Sequence, residues 1–273
     1  VIPVRDAVAL VAARLVAAGI EDARREARIL LAAALGVDAA GLLALDDVDP
    51  TRFETMVGRR EAREPLAYIT GRREFFGLMF EVSPATLIPR PDSETIVEAA
   101  LALPSPARVL DLGTGTGCLL LAVLHNRQGA LGVGVDLAPE AAALAARNAA
   151  ALGLDDRAMF LAGDWADALS GSFDLILSNP PYISGAAIAG LMPEVARYEP
   201  GRALDGGADG LAAYQRIIAR LPDLLAPGGA AVLELGAGQA ASLATLAASS
   251  RLTCETRRDL AGIERAAVLQ RCK

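Results

Sequence analysis

Lysine is almost missing: the only one is the terminal Lys273, in a chain with 33 acidic side chains and a net charge of −7. Tracks for long nucleic acids need clustered cations to displace counterions. The densest cluster here, Arg59, Arg60, Arg63, Arg72 and Arg73, is interleaved with Glu61, Glu64 and Glu74. That balance argues against direct nucleic-acid binding. Histidine is equally scarce. His125 lies inside an apolar helical run and suits packing or surface better than catalysis, so no serine-histidine-acid triad can be assembled. Three cysteines without C-x-x-C spacing (Cys118, Cys254 and Cys272) argue for a reducing compartment and against a zinc site, and no metal is expected. No stretch reaches the ~18 uninterrupted apolar residues of a spanning helix. Charges scattered through residues 1–28 leave no signal-peptide core. A cytoplasmic chain away from membranes is expected.

What the chain does have is apolar side chain: 53% of 273 residues, enough for a large core in one or two domains. Residues 1–64 carry helical periodicity only. Val8, Leu10, Val11, Leu15 and Val16 recur at helical spacing, as do Ala27, Leu30, Leu31 and Ala34 ahead of Gly36. Short helices at 39–44 and 50–63 complete a small bundle, either a structural cap or a docking surface for a macromolecule. In residues 65–91 the pattern turns to β, with 68–71 and 74–82 as the arms of a hairpin linker. Ile88-Pro89-Arg90-Pro91 then leads in extended form to a helix reaching 103, with Asp92 or Ser93 as its N-cap. Arg90, between rigid neighbours, is either a surface residue or a positioned cation.

Residues 92–273 alternate strands and helices, the pattern of an α/β domain with a Rossmann-like sheet and helices on both faces. The strand from Arg108 runs into Gly113-Thr114-Gly115-Thr116-Gly117, followed by a helix over 118–126. Missing side chains there let the backbone approach a ligand at a helix N-terminus. The next strand ends in Asp136, about twenty residues on, where a carboxylate can accept from both hydroxyls of a ribose or cap the helix after it. A third strand leads to Gly163-Asp164-Trp165. Asp164 and Trp165 can hold an adenine, carboxylate to the exocyclic amine and indole against the ring face; the alternative is a core tryptophan. A fourth strand, with Leu175–Leu177 buried on both faces, ends at Asn179-Pro180-Pro181-Tyr182. All four tips then line one edge of a parallel sheet, where such folds bind ligands.

The fourth tip carries the chemistry. The prolines fix φ and supply no N–H, so the chain leaves the sheet in a set direction; a plain strand-to-turn exit is the alternative. The Asn179 amide oxygen and the Pro180 carbonyl offer two acceptors beside the Tyr182 ring, a site shaped for a planar –NH₂ group. A polar segment, 184–209, is long enough to expect a functional loop. A helix over 210–225, a strand over 230–235, a helix over 239–248 and a closing hairpin over 252–269 complete the chain.

Taken together these motifs resemble the release-factor glutamine methyltransferase family (PrmC/HemK), among class I S-adenosylmethionine-dependent methyltransferases. The likeness spans nearly the whole chain: Glu64-Pro-Leu-Ala-Tyr-Ile-Thr-Gly71, Ile88-Pro-Arg-Pro91 with Glu94, Asp111-Leu-Gly-Thr-Gly-Thr-Gly117, Asn179-Pro-Pro-Tyr182, Glu199-Pro200, Asp209-Gly210 and Asp259-Leu-Ala-Gly262 with Arg265. One departure is Asp92-Ser93, where the family more often shows Glu-Thr. The resemblance implies methyl transfer from S-adenosyl-L-methionine to the side-chain amide nitrogen of the glutamine in the Gly-Gly-Gln motif of peptide chain release factors. It also implies cofactor contacts from Gly113 to Gly117, Asp136, Asp164, Trp165 and Asn179. It implies further that Asn179, Pro180, Pro181 and Tyr182 hold the glutamine; Arg90, as a positioned cation, is expected beside them as a substrate-binding residue. A monomer with release factors as protein partners is expected. N-P-P-Y alone is shared with methyltransferases acting on DNA or RNA base amines, and a non-catalytic nucleotide-sensing protein on the same fold is the further alternative.

Overall fold

The computed structural model describes residues 1–167 and 169–272; Ala168 and Lys273 lie outside the described residues. The chain divides into two compact units: Val1–Arg72 with Met192–Tyr198, and Arg73–Leu191 with Glu199–Lys273.

The first unit is mostly helical. Strand β1 (Ile2–Pro3) runs into α1 (Val4–Ala17), which buries Val4, Ala7, Val8, Val11 and Leu15 along one stripe. Helix α2 (Ala23–Leu35) buries Ala27, Leu30 and Leu31. It ends at Gly36, whose φ of 71° lets Val37 N–H donate back to Ala32 O at 3.0 Å and close the last turn. Helix α3 (Ala39–Leu43) and strand β2 (Asp47–Val48) follow, then α4 (Glu54–Glu61) and α5 (Leu66–Thr70). Two features differ from expectation. β1 and β2 form a two-residue antiparallel pair in a region that reads as helix alone. Residues 66–70 form α5, which takes in most of the segment 68–71 expected as a hairpin arm. Tyr68 and Ile69, adjacent in sequence, are both buried, and Thr70 Oγ1 donates to Leu66 O at 3.1 Å across one helical turn. Strand alternation would expose one of that pair.

The unit is completed by a six-residue helix, Pro193–Tyr198, supplied from far along the chain. Its Glu194 accepts from Arg60 Nη1 at 3.1 Å and from Arg63 Nη2 at 2.8 Å, while Arg60 also donates to Glu26 at 2.6 Å. Burial alone would raise the Glu194 carboxyl, but bonds from Arg63 and Arg60 outweigh it and hold it below the usual carboxylate range.

The second unit, from Arg73, begins one residue into the hairpin β3 (Arg72–Phe75) and β4 (Leu78–Glu81). Its two-residue turn has φ of 51° at Phe76 and 76° at Gly77, the left-handed pair that matches strand twist. Glu94 and Glu74 accept the two turn N–H groups, at 3.0 and 2.6 Å. Helix α6 (Glu94–Leu101) precedes a sheet built from β5 (Arg108–Leu112), β6 (Leu131–Asp136), β7 (Ala158–Ala162), β8 (Phe173–Ser178), β9 (Leu225–Glu234), β10 (Leu252–Arg258) and β11 (Glu264–Arg271). Its order is β10-β11-β9-β8-β5-β6-β7, parallel from β9 to β7 and antiparallel at β11 and β10. Alternate residues serve two cores. Val109, Leu175 and Val232 pack with α6 and α7 (Cys118–Asn126), while Leu110, Ile176 and Leu233 pack with helices Ala212–Leu224 and Ala240–Ser249. The chain leaves β5 for β6 and β7 on one side and returns to β8 on the other. The crevice at that reversal is where such sheets take ligands. Among the described residues, no helix is long and apolar enough to cross a membrane.

Candidate functional site

At the tip of β5, Gly113, Gly115 and Gly117 have φ of 73°, 55° and 80°. Gly113 and Thr114 N–H donate to Val135 O at 2.8 and 2.9 Å, tying the loop to β6. Gly113 is also crowded, since a Cβ there would come within 3.4 Å of the Trp165 ring. Asp111 lies fully buried beneath the loop, where Thr114 Oγ1 donates to it at 2.6 Å. Burial pushes this carboxyl up to about 7, against the pull of the Thr114 hydroxyl. The Cys118 thiol is likewise pushed up to about 12 by burial.

Asp136 ends β6. Its Oδ2 accepts from Gly115 N–H at 2.8 Å and its Oδ1 from Ala138 N–H at 2.9 Å. The side chain therefore pins the glycine loop and its own turn together, with lone-pair capacity left on each oxygen. It does not occupy the cap position of α8 (Pro139–Ala151), which falls at Ala138. At the tip of β7, Trp165 adopts φ 48°, an uncommon conformation for a bulky residue and one that clusters at ligand sites. Asp164 is held at the exposed rim by Arg216, at 3.0 and 2.9 Å.

Asn179 ends β8. Its Nδ2 donates to Ser93 Oγ at 3.2 Å, and Ser93 Oγ donates to Glu234 Oε2 at 2.5 Å. Tyr182 OH donates to Glu234 Oε1 at 3.0 Å, and Gln239 Nε2 donates to the Tyr182 carbonyl at 3.0 Å. Glu234 is 2% exposed. Burial pushes its carboxyl up, while bonds from Ser93 and Tyr182 pull it down. Burial and the Glu234 charge also raise the Tyr182 phenol, which stays protonated as a donor.

One cavity joins these tips. It encloses about 970 Å³ of atom-free space including its open mouth. Gly113–Thr116 and Asp136 form one wall, Asp164 and Trp165 another, and Asn179 and Pro181 a third, with Arg90 and Ser93 facing them. Gly117, Pro180 and Tyr182 do not line it. Gly117 is a packing glycine, since a Cβ there would lie 3.1 Å from Ala145 and 3.2 Å from Leu121. Pro180 is buried, and Tyr182 is turned onto Glu234. Arg90 is a positioned cation, paired with the buried carboxylate of Glu199, which also accepts from Ile88 N–H at 3.2 Å. Sequence reasoning missed Ser93 as a site residue, along with Glu234, Gln239 and Glu199. The available signal for Glu234 was an acid ending a wholly apolar strand.

Two family models match the chain, the PrmC N-terminal domain over residues 6–71 and the methyltransferase small domain over residues 93–197. A release factor glutamine methyltransferase of Rhodospirillum rubrum is 50% identical over 266 residues, covering 94% of this chain and 82% of that protein. One of Bradyrhizobium diazoefficiens is 48% identical over 268 residues, covering 93% and 90%. Among solved structures, a methyltransferase from Pyrococcus furiosus aligns with a TM-score of 0.54 at 18% identity, over 79% of this chain and 95% of that one. A T. thermophilus 16S rRNA N2 G1207 methyltransferase, solved with AdoMet and guanosine, aligns at 0.53 and 22%, over 74% and 50%. At these identities the two structures share the fold.

Proposed function

The chain belongs to the release factor glutamine methyltransferase family, and on that footing we propose that it methylates the side-chain amide nitrogen (N5) of the glutamine in the Gly-Gly-Gln motif of peptide chain release factors. The observation that carries this reading is the orientation of Asn179. Its –NH₂ is committed to Ser93, which turns Oδ1 to the other side of the amide, at the wall of the cavity that joins four strand tips.

The cavity fits S-adenosyl-L-methionine. A side-chain-free glycine cradle at Gly113 and Gly115 stands beside an aromatic ring at Trp165 and an acceptor carboxylate at Asp136. The family's cosubstrate supplies an electrophilic sulfonium methyl. Asp136 holds the ribose through its free lone pairs, Gly113–Thr116 line the backbone side, and Trp165 covers the adenine with Asp164 at its edge. Asn179 Oδ1 accepts an N–H of the substrate amide and aims its nitrogen. An amide nitrogen is a weak nucleophile because its lone pair is delocalised, so orientation and a preorganised acceptor carry the catalysis. Alignment of this kind lowers barriers by up to ~7–11 kcal/mol in the best model reactions. No strong base is needed before attack, since the proton leaves readily once the nitrogen is methylated.

A Gly-Gly-Gln loop alone buries little, whereas stable protein contacts bury ~1,200–2,000 Å². The helical module within residues 1–64 therefore supplies a second contact on the release factor. The reading is tested by methyl transfer from labelled S-adenosylmethionine to purified release factor, against duplex DNA and structured RNA. Label on the glutamine supports it, and label on nucleic acid or none at all overturns it.

A further inference from the structure

We infer that Glu234 is a positioning residue that sets which way the Asn179 amide faces, acting through the Ser93 hydroxyl; the inference rests on the methyltransferase reading above. Glu234 ends β9, the neighbour of β8. Leu233 pairs with Ser178, so the next residues, Glu234 and Asn179, stand side by side at the strand tips. Two hydroxyls reach its carboxyl, one at each oxygen: Ser93 Oγ–H donates to Oε2 and Tyr182 O–H to Oε1, so each spends its hydrogen there.

The consequence runs outward. Ser93 has one hydroxyl hydrogen, and once it is given to Glu234 only lone pairs face Asn179. Lone pairs select the –NH₂ end of the amide, which is the end found there at 3.2 Å. Oδ1 is thereby fixed as the outward acceptor. Were the Ser93 hydrogen free, it could donate to Oδ1 instead, and the amide would turn about its last torsion. Its –NH₂ would then meet the donor –NH₂ of a glutamine. Ser93 makes no helix-capping bond, although it sits at the cap position of α6. Against the burial that raises the Glu234 carboxyl, the Arg265 charge pulls it down. Arg265 donates to Leu235 O at 3.3 Å and to Asp259 at 3.1 Å, and pairs with Asp92 at 3.3 Å. A buried carboxylate at this position has a reason here: fixing a hydrogen-bond direction, which packing cannot do.

Glu234→Gln keeps the shape but can accept at only one of the two positions, so it scrambles the direction. We expect kcat on release factor to fall about tenfold or more, with a smaller change in KM. Ser93→Ala should show a similar loss, Ser93→Thr should keep most activity, and the double variant Glu234→Gln/Ser93→Ala should be no worse than the weaker single, because the two act in series. Losses that multiply in the double variant, or an unchanged kcat in Glu234→Gln, overturn the inference. Should Glu234→Gln fail to fold, full activity in Ser93→Ala overturns it equally. A second readout is independent of substrate: the Asn179 side-chain ¹⁵NH₂ resonances, identified by their loss in Asn179→Ala, should shift in Glu234→Gln. Unmoved resonances refute the inference whatever the enzyme methylates, whereas a wild-type protein inactive on release factor refutes the functional reading alone.

Discussion

Replacing Asp136 by Asn tests the cofactor wall most directly, because this side chain has two tasks that the change separates. Toward the chain it accepts from Gly115 N–H at 2.8 Å and Ala138 N–H at 2.9 Å. An Asn can accept at one of these positions and must turn its –NH₂ toward the other. One backbone donor is then left without a partner, at a cost of ~1–3 kcal/mol. That cost falls on the free and bound protein alike, so it lowers the melting temperature and leaves affinity alone. Toward the ligand, the variant loses charge-assisted bonds to the ribose, worth ~1.5–3 kcal/mol. At ~1.4 kcal/mol per tenfold, the Kd for S-adenosylmethionine should rise about 10- to 150-fold. Calorimetric titration of the wild type and the variant measures it, with KM for release factor at saturating cosubstrate as the control that should not move. An affinity within twofold of wild type, in a protein whose melting point has dropped, would place the ribose elsewhere in the cavity.

Asn179→Ala removes the oriented acceptor and should cut turnover on release factor by ~10²-fold or more; near-normal kcat would rule out the oriented-acceptor mechanism. Leu43 is 80% exposed on α3, and if the helical module touches the release factor through such apolar surface, Leu43→Glu should raise KM for the intact factor while leaving turnover of a Gly-Gly-Gln peptide alone, a contrast that steady-state kinetics on the two substrates would reveal. Glu194→Gln takes one partner from the buried Arg60 and should destabilise by ~3–5 kcal/mol at neutral pH in urea titrations. Because the folded Glu194 carboxyl is held below its ordinary value, its stabilisation is present above the unfolded pKa of ~4.3 and is lost as pH falls through the lower folded value. The gap between wild type and variant should therefore narrow in acid, and a constant gap would count against the ion pair.

The sheet was legible because its signals are local. Leu175–Leu177 are buried on both faces, glycines follow β5, and the double proline after Asn179 stops β8 at the residue where the sequence changes character. Residues 68–70 misread because Tyr68 and Ile69 favour strands by type, while tertiary burial of both selects a helix. Ser93 looked like a helix cap, and its hydroxyl is instead spent on a residue 141 positions away. Periodicity within one segment carries no trace of such a partner. The same applies to Glu194, one acid in a polar stretch whose meaning appears only with Arg60 and Arg63 beside it.

The helical unit, finally, is not finished where its sequence leaves off. Its last piece, Pro193–Tyr198, is encoded after the Asn179–Tyr182 motif. On the ribosome, domains usually fold in order of emergence at ~5–20 residues per second. Here the first helices emerge on the order of ten seconds before the carboxylate that completes the partners of Arg60 is synthesised. Until then the buried guanidinium has Glu26 alone among its acidic partners. Nascent chains stalled before and after residue 198 should thus differ in the protease resistance of their N-terminal helices, and strand β8 is made before the unit that precedes it in sequence can close.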